Sequence, residues 1–260
     1  MTAPAITQPL KIWLEAEGRL LRLRLNQPKA NLIDAAMIAA LDGALQAHLG
    51  NPCLATILLD AEGPHFSFGA SVEEHLPGEC TAMLKGLHGL LQRMVESSVP
   101  ILVAVRGQCL GGGLEVALAG HLVFVAPDAK LGQPEMKLGV FAPAASCLLP
   151  ELAGPTQAFD LLLSGRSLTG IEAATLGIVY QASADPEATA LAYFKEHFEP
   201  KSASSLRFAT KAARCDFAAR FRSKIESLER VYLDELMRTH DAVEGLQAFL
   251  GKRAAQWQHH

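Results

Sequence analysis

Between Ile101 and Pro127 the chain reads ILVAVRG, then QCLGGGLEVALAG, then HLVFVAP. The outer two segments are short apolar runs, rich in β-branched residues, of the kind that form strands buried on both faces. The middle segment is apolar too, but its three glycines followed by LEVALAG read as a helix opened by glycines. A strand, a helix and a strand in such quick succession need cover on both faces of the strands. That requirement points to a layered α/β domain of stacked parallel strands with helices outside.

The rest of the chain agrees with this frame. Residues 10–25 alternate apolar and polar around Glu17-Gly18, as in a two-stranded hairpin. NQPKANLID forms a turn whose Asp34 can cap a helix running through Leu49. LATILLDA (54–61) reads as a buried strand. Residues 80–97 place Met83, Leu84, Leu87, Leu90, Leu91 and Met94 at helical spacing before Pro100 stops the helix. From about residue 201 no strand pattern recurs. Two amphipathic helices are predicted there, a broken one over 203–238 and another over 240–257, so the chain divides into a core (1–200) and a C-terminal helical region (201–260) that serves oligomerisation.

Composition narrows the function. Of 260 residues, 50% are hydrophobic and 19% charged, which supports a folded core rather than disorder. The net charge of −4 without a basic block gives no electrostatic basis for binding nucleic acid. The five scattered cysteines contain no C-x-x-C pair, against a disulfide framework or zinc site. Residues 1–10 carry no signal-peptide pattern and no apolar run approaches a membrane span, so a cytoplasmic protein is expected.

Three short segments carry chemistry. Gly111-Gly112-Gly113 at a helix start lets backbone approach a ligand closely and aims free N–H groups at an anion; tight strand–helix packing is the structural alternative. Glu115 follows in a helix with no other charge, so it is expected to be buried with a raised pKa, unless it serves the helix dipole at the surface. Glu135 lies in LGQPE after a turn, where plain solvation is the simpler reading. If the two carboxylates flank one pocket, they can hold a water and supply a proton. The loop Phe66-Ser67-Phe68-Gly69-Ala70 can aim the Ala70 N–H at a ligand.

In their order and spacing these segments resemble the crotonase (enoyl-CoA hydratase/isomerase) superfamily: FSFGAS for its F-S-x-G-A-D loop, GGGLEV for its G-G-G-x-E-L helix start, and GQPE for its G-x-P-E loop. LNQPKANLID, SGRSLTGIEAATLGIVYQA (164–182) and EGLQAFLGKR (244–253) extend the likeness over nearly the whole chain. The resemblance implies a ClpP-like fold of stacked β-β-α units with a C-terminal helical appendage. It further implies an acyl-CoA thioester whose carbonyl oxygen sits between the N–H groups of Ala70 and Gly112, with Glu115 and Glu135 as catalytic residues of a hydratase. Phe68, Gly69, His75, Gly111, Val140, Phe141 and Pro143 are expected to contact substrate. No separate cofactor or metal is implied, because coenzyme A arrives with the substrate. A trimer or dimer of trimers follows from the likeness, with Phe249 and Lys252 approaching coenzyme A held mainly by a neighbouring subunit.

The chain departs from the family pattern at Gln27, Ser71 and Glu73, where the family commonly has a basic residue, an aspartate and a lysine; Lys29, Lys252 and Arg253 are the replacements at hand for contacts to coenzyme A phosphates. After Glu135 the usual glycine-rich run is replaced by GVFAPAASCLLP (139–150), and Pro143 stands where hydratases commonly offer a glycine N–H to the water. This segment resembles that of hydratases acting on a cyclic conjugated dienoyl-CoA, in which water adds at the β carbon and the proton goes to the far end of the diene. Hydration of a linear 2-enoyl-CoA is the alternative. Double-bond isomerisation and an RNA-binding relative are further removed, since the 80–97 helix offers only Lys85 and Arg93. A serine hydrolase lacks G-x-S-x-G.

Overall fold

The computed structural model describes residues 8–260; the first seven, and with them most of the segment read for a signal peptide, lie outside. The hairpin is present as β1 (Leu10–Glu15) and β2 (Leu20–Leu25), joined by a turn over Ala16–Gly18. Asp34 caps α1 (Ala35–His48) by accepting the Met37 N–H at 2.8 Å. There follow β3 (Thr56–Ala61), α2 (Cys80–Val95), β4 (Ile101–Val105), β5 (Gln108–Leu110), α3 (Gly112–Ala119), β6 (Leu122–Val125) and β7 (Lys130–Gly132). The second half comprises α4 (Pro143–Ser164, kinked at Gly154), β8 (Ser167–Thr169), α5 (Gly170–Thr175), β9 (Gln181–Ala182), α6 (Pro186–Tyr193), α7 (Ala203–Arg230) and α8 (His240–Leu250).

Six strands form one sheet in the order β1-β2-β3-β4-β6-β9, parallel throughout except for β1, and β5-β7-β8 form a smaller second sheet. The period of two in β4 explains the layering. Ile101, Val103 and Val105 join the core shared with α1, α2, α3 and α4, whereas Leu102 and Ala104 point to the opposite face and pack with Phe124, Ala190 and Phe194. Full burial of each such side chain contributes about 1.5–3 kcal/mol, and a sheet covered on both faces has no solvent side to accept a register slip.

The C-terminal region is helical, as expected, and the long helix is interrupted after Arg230. α7 ends at Arg230, passes into a π turn over Val231–Glu235, and closes with a 3-10 turn at Leu236–Arg238. The final helix is shorter than the predicted 240–257. It stops at Leu250, and Gly251 and Lys252, the latter at φ 50°, turn the chain back. The returning segment is held by α8 itself: the Gln256 N–H donates to Glu244 at 2.8 Å, and those of Gln258 and His259 donate to Asp241 at 2.7 and 2.8 Å. Lys252 and Arg253 therefore lie outside any helix.

The apolar stripe predicted on these helices is partly covered within the chain. Leu246 is fully buried and Leu228 and Leu236 pack on the core, whereas Phe249 remains 55% exposed. All five cysteines are free thiols. Among the described residues no helix is long and apolar enough to cross a membrane, and no group of three or more His, Cys, Asp or Glu side chains is placed to hold a metal.

Candidate active site

A cavity of about 610 Å³ opens between the loop that carries Phe68–Glu73, helix α2, the start of α3, the turn Pro134–Leu138, the start of α4, and α8. Its wall includes Phe68, Gly69, Ala70, His75, Gly111, Gly112, Glu115, Glu135, Val140, Phe141, Pro143 and Phe249. Twelve residues named from the sequence thus meet in one cavity, from segments more than 180 residues apart.

Glycines permit the closest approaches. Gly69 adopts φ +108° and Gly111 φ +49°, conformations that side chains disfavour. A Cβ on Gly111 would stand 2.5 Å from Glu135 Oε1, and one on Gly112 would stand 3.3 Å from the Ala70 nitrogen. Gly112 opens α3, so its N–H has no intrahelical acceptor by construction. The Ala70 N–H comes from the facing loop, anchored where the Ile33 N–H donates to Gly69 O at 2.9 Å. Two backbone donors from two elements thus meet at one end of the cavity.

Glu115 is 3% exposed and belongs to the cavity rather than to the surface. Its Oε1 accepts the Ala145 N–H at 2.8 Å. That donor is one of the free N–H groups in the first turn of α4, so a helix N-terminus faces the carboxylate. Pro143 occupies the first position of that helix, where its missing N–H costs no intrahelical bond. The apolar stretch after Glu135 thus does two jobs: Val140, Phe141 and Pro143 wall the cavity, and the turn they start supplies the group that holds Glu115.

Burial raises the pKa of Glu115, against the pull of the Ala145 and Ala144 N–H groups and the His88 charge. Burial pushes Glu135 up to about 8, and the charge of Glu115 adds to that rise. Gln133, which is 1% exposed, satisfies its hydrogen bonds when its amide nitrogen faces Glu135 and donates to the carboxyl oxygens at 2.9 and 3.1 Å. Both carboxyls are thus shifted toward the protonated form, and Glu135, which keeps its proton up to about pH 8, can serve as a proton donor near neutral pH.

Phe249 and Lys252 are placed differently in this chain. Phe249 lines its own chain's cavity, because α8 packs directly on the Pro134–Leu138 turn; a Cβ on Gly245 would stand 2.1 Å from Leu138 O. Lys252 lies beyond the turn that ends α8 and does not line the cavity, and Arg253 is engaged with Glu244 at 2.5 Å. Lys29 is also absent from the wall, whereas Lys137 is in it.

Sequence reasoning missed Lys137, Gln133, His88 and Tyr232. Lys137, two residues after Glu135, was within reach of a motif argument. His88 and Tyr232 were not, since one sits amid a helix otherwise read for its apolar stripe and the other in a π turn. Tyr232 is 1% exposed, its ring lies 5.3 Å from that of Phe141, and its hydroxyl has no partner.

The model of the enoyl-CoA hydratase/isomerase family matches residues 15–260, and the chain belongs to that family. Over 252 residues it is 63% identical to the cyclohexa-1,5-dienecarbonyl-CoA hydratase of Thauera aromatica, covering 97% of this chain and 98% of that one. Among solved structures, an enoyl-CoA hydratase/isomerase from Pseudoalteromonas atlantica T6c superposes with a TM-score of 0.82 at 26% identity, over 96% of this chain and 99% of that one. An enoyl-CoA hydratase from Bacillus halodurans does so with 0.85 at 20% identity, over 92% and 99%. The crotonase fold expected from the motifs is the fold observed.

Proposed function

We propose that this chain hydrates cyclohexa-1,5-diene-1-carbonyl-CoA to 6-hydroxycyclohex-1-ene-1-carbonyl-CoA. The observation that carries the proposal is that Glu115 and Glu135 line one cavity whose wall on the Val140–Pro143 side is apolar. The 63% identity to the Thauera enzyme supports the choice of acyl group.

In this reading the thioester oxygen lies between the Ala70 and Gly112 N–H groups. Glu115, the carboxylate held by Ala145, takes a proton from water as the oxygen bonds to the β carbon. The electron pair moves through the diene onto the thioester oxygen, where the two N–H donors stabilise the extended enolate. Glu135, which holds its proton up to about pH 8, delivers it to the ring carbon at the far end of the diene, opposite the new C–O bond. The carbonyl re-forms, one water has been added, and transfer of the proton from Glu115 back to Glu135 resets the pair. No cofactor besides the substrate's own coenzyme A enters these steps. Lys137 at the cavity wall is our candidate for a coenzyme A phosphate contact.

We further propose a trimer or dimer of trimers, without a nucleic-acid or membrane partner. Phe159 (61% exposed), Leu163 (66%) and Phe208 (73%) leave apolar surface that association would cover, and region 201–260 contributes part of it. Light scattering at micromolar concentration tests this, and a monomer would reject it.

The test of the activity is a set of acyl-CoA thioesters, including crotonyl-CoA and the cyclic dienoyl-CoA, assayed with product identification. Hydration of the cyclic substrate with the hydroxyl at the expected carbon supports the proposal. A higher kcat/KM on crotonyl-CoA would reassign the chain as a linear 2-enoyl-CoA hydratase.

A further inference from the structure

His88 lies on α2, is 4% exposed, and borders the same cavity as Glu115. Its Nδ1 is 2.8 Å from Glu229 Oε2, a side chain that reaches it from α7. A carboxylate can only accept from this ring nitrogen, so Nδ1 carries a hydrogen and Nε2 is the nitrogen left over. Nε2 is buried and has no partner among the described residues. A buried polar atom without a partner costs about 1–3 kcal/mol, and the ring pairs with Glu229 on the side away from its orphaned nitrogen. An apolar helix face such as that of Leu84, Leu87 and Leu91 would be filled more favourably by another leucine. The imidazole is held by one carboxylate and lines the same cavity as a second, Glu115.

We propose that His88, oriented by Glu229, is a positioning residue that acts through Glu115 by its charge, favouring the ionised form of that side chain for water activation. Protonated, the ring supplies the cation that Glu115 otherwise lacks, and the pair then biases the shared proton toward Glu135. The charge of His88 acts on Glu115 in this sense. The other titratable groups around the ring are Glu229 and, near it, Lys85; Cys80 on the same helix; and Tyr232 and Glu135 beyond Glu115. None of them supplies a cation facing Glu115.

The inference rests on Glu115 as the base, so its test has a readout that does not need turnover. In protein labelled with carboxyl-¹³C glutamate, the Glu115 resonance is assigned by its loss in Glu115→Gln and titrated in wild type, His88→Gln and Glu229→Gln. We expect both variants to move the Glu115 titration upward by about one pH unit, the lower end of what an adjacent opposite charge supplies. Glu229→Asp, which keeps the carboxylate, should restore most of the difference. With the cyclic dienoyl-CoA, the acid limb of kcat should move by the same amount, and kcat should fall about 10- to 100-fold with little change in KM. If His88→Gln does not fold, Glu229→Gln, whose side chain is partly exposed, carries the test. A Glu115 titration unmoved in a folded variant overturns the proposal whatever the rates. A moved titration in a protein inactive on every thioester tried would instead overturn the hydratase reading and leave the His88–Glu115 coupling standing.

Discussion

Arg22 and Arg24 of β2 meet Asp60 of β3 at 2.6–2.7 Å on one face of the large sheet, and Glu187 of α6 closes the group at 2.6 Å from both guanidinium groups. Elsewhere Glu115 is as deeply buried and Glu135 lines the same cavity half-buried, and neither takes part in an ion pair among the described residues. Both places remove charge from water. In the first, cations and anions alternate, and the carboxyl oxygens of Asp60 and Glu187 accept from the guanidinium N–H groups in a fixed structure. In the second, two like groups share a space lined by leucine, phenylalanine and proline, and burial favours the protonated form. The difference separates charge that supports the fold from charge kept reactive. Four experiments probe that contrast.

The largest effect belongs to the reactive pair. Glu115→Gln and Glu135→Gln should each fold and lose about 10³-fold or more of kcat, because an amide neither removes nor delivers a proton. Circular dichroism with steady-state rates on the cyclic dienoyl-CoA checks this. Substantial activity in either variant would place the chemistry elsewhere in the cavity.

The supporting pair should behave in the reverse way. Asp60→Asn leaves Arg22, whose side chain is 4% exposed, with less than its complement of negative charge. We expect a loss of about 3 kcal/mol, the lower end for breaking a buried pair because Glu187 and Glu15 still face Arg22. Urea unfolding measures it, and kcat of the folded enzyme should be unchanged. A stable Asp60→Asn protein with impaired catalysis would erase the distinction between the two sites.

Sequence made these two regions unequally legible. Glu115 stood out as the only charge in an apolar helix, and the glycines before it signalled a close approach, so its burial followed from residue type. Glu135 did not stand out, since a loop carboxylate is ordinarily solvated. Only the resemblance to a family gave it a role, and only the fold turned it inward against Gly111. Arg22 and Arg24 read as the exposed side of a hairpin strand; nothing in β2 announces that Glu187 will arrive from α6 to cover them. Strands and helices with strong periodicity were legible for the same reason, local pattern dictating local structure. The three-residue strands of the second sheet, the early end of α8 and the contact of Phe249 with its own cavity depend on tertiary packing.

The third experiment uses pH. Glu135 titrates at about 8 in the folded chain and near 4.3 when unfolded. The folded state therefore binds the extra proton, and stability falls as pH rises between these values. Below about pH 4 the contribution is intact, and above about pH 8 it is lost. Glu135→Gln has no such proton, so its stability relative to wild type should grow between pH 5 and pH 9 by on the order of a few kcal/mol. Paired urea titrations at the two pH values give the difference. A difference independent of pH would mean that Glu135 is not buried as an acid.

The smallest effect tests the apolar wall. Pro143 is buried at the first position of α4 and borders the cavity beside Val140 and Phe141. Because proline has no N–H, this stretch of wall offers no hydrogen bond to a water or substrate, and a flat ring asks for none. Pro143→Gly restores a donor at that position, as does Pro143→Ala, which better preserves the helix start on which the Ala145 contact to Glu115 depends. Both variants should move the ratio of kcat/KM toward crotonyl-CoA and away from the cyclic dienoyl-CoA. A pocket difference of about 1–3 kcal/mol corresponds to a change of roughly 10- to 200-fold in that ratio. The two substitutions separate causes: a shift in Pro143→Gly alone reflects a loosened helix start, whereas the same shift in Pro143→Ala follows from the new donor. If neither variant changes the ratio while the fold is intact, the proline is scaffold, and selection of a ring must come from the Phe141–Tyr232 side of the wall.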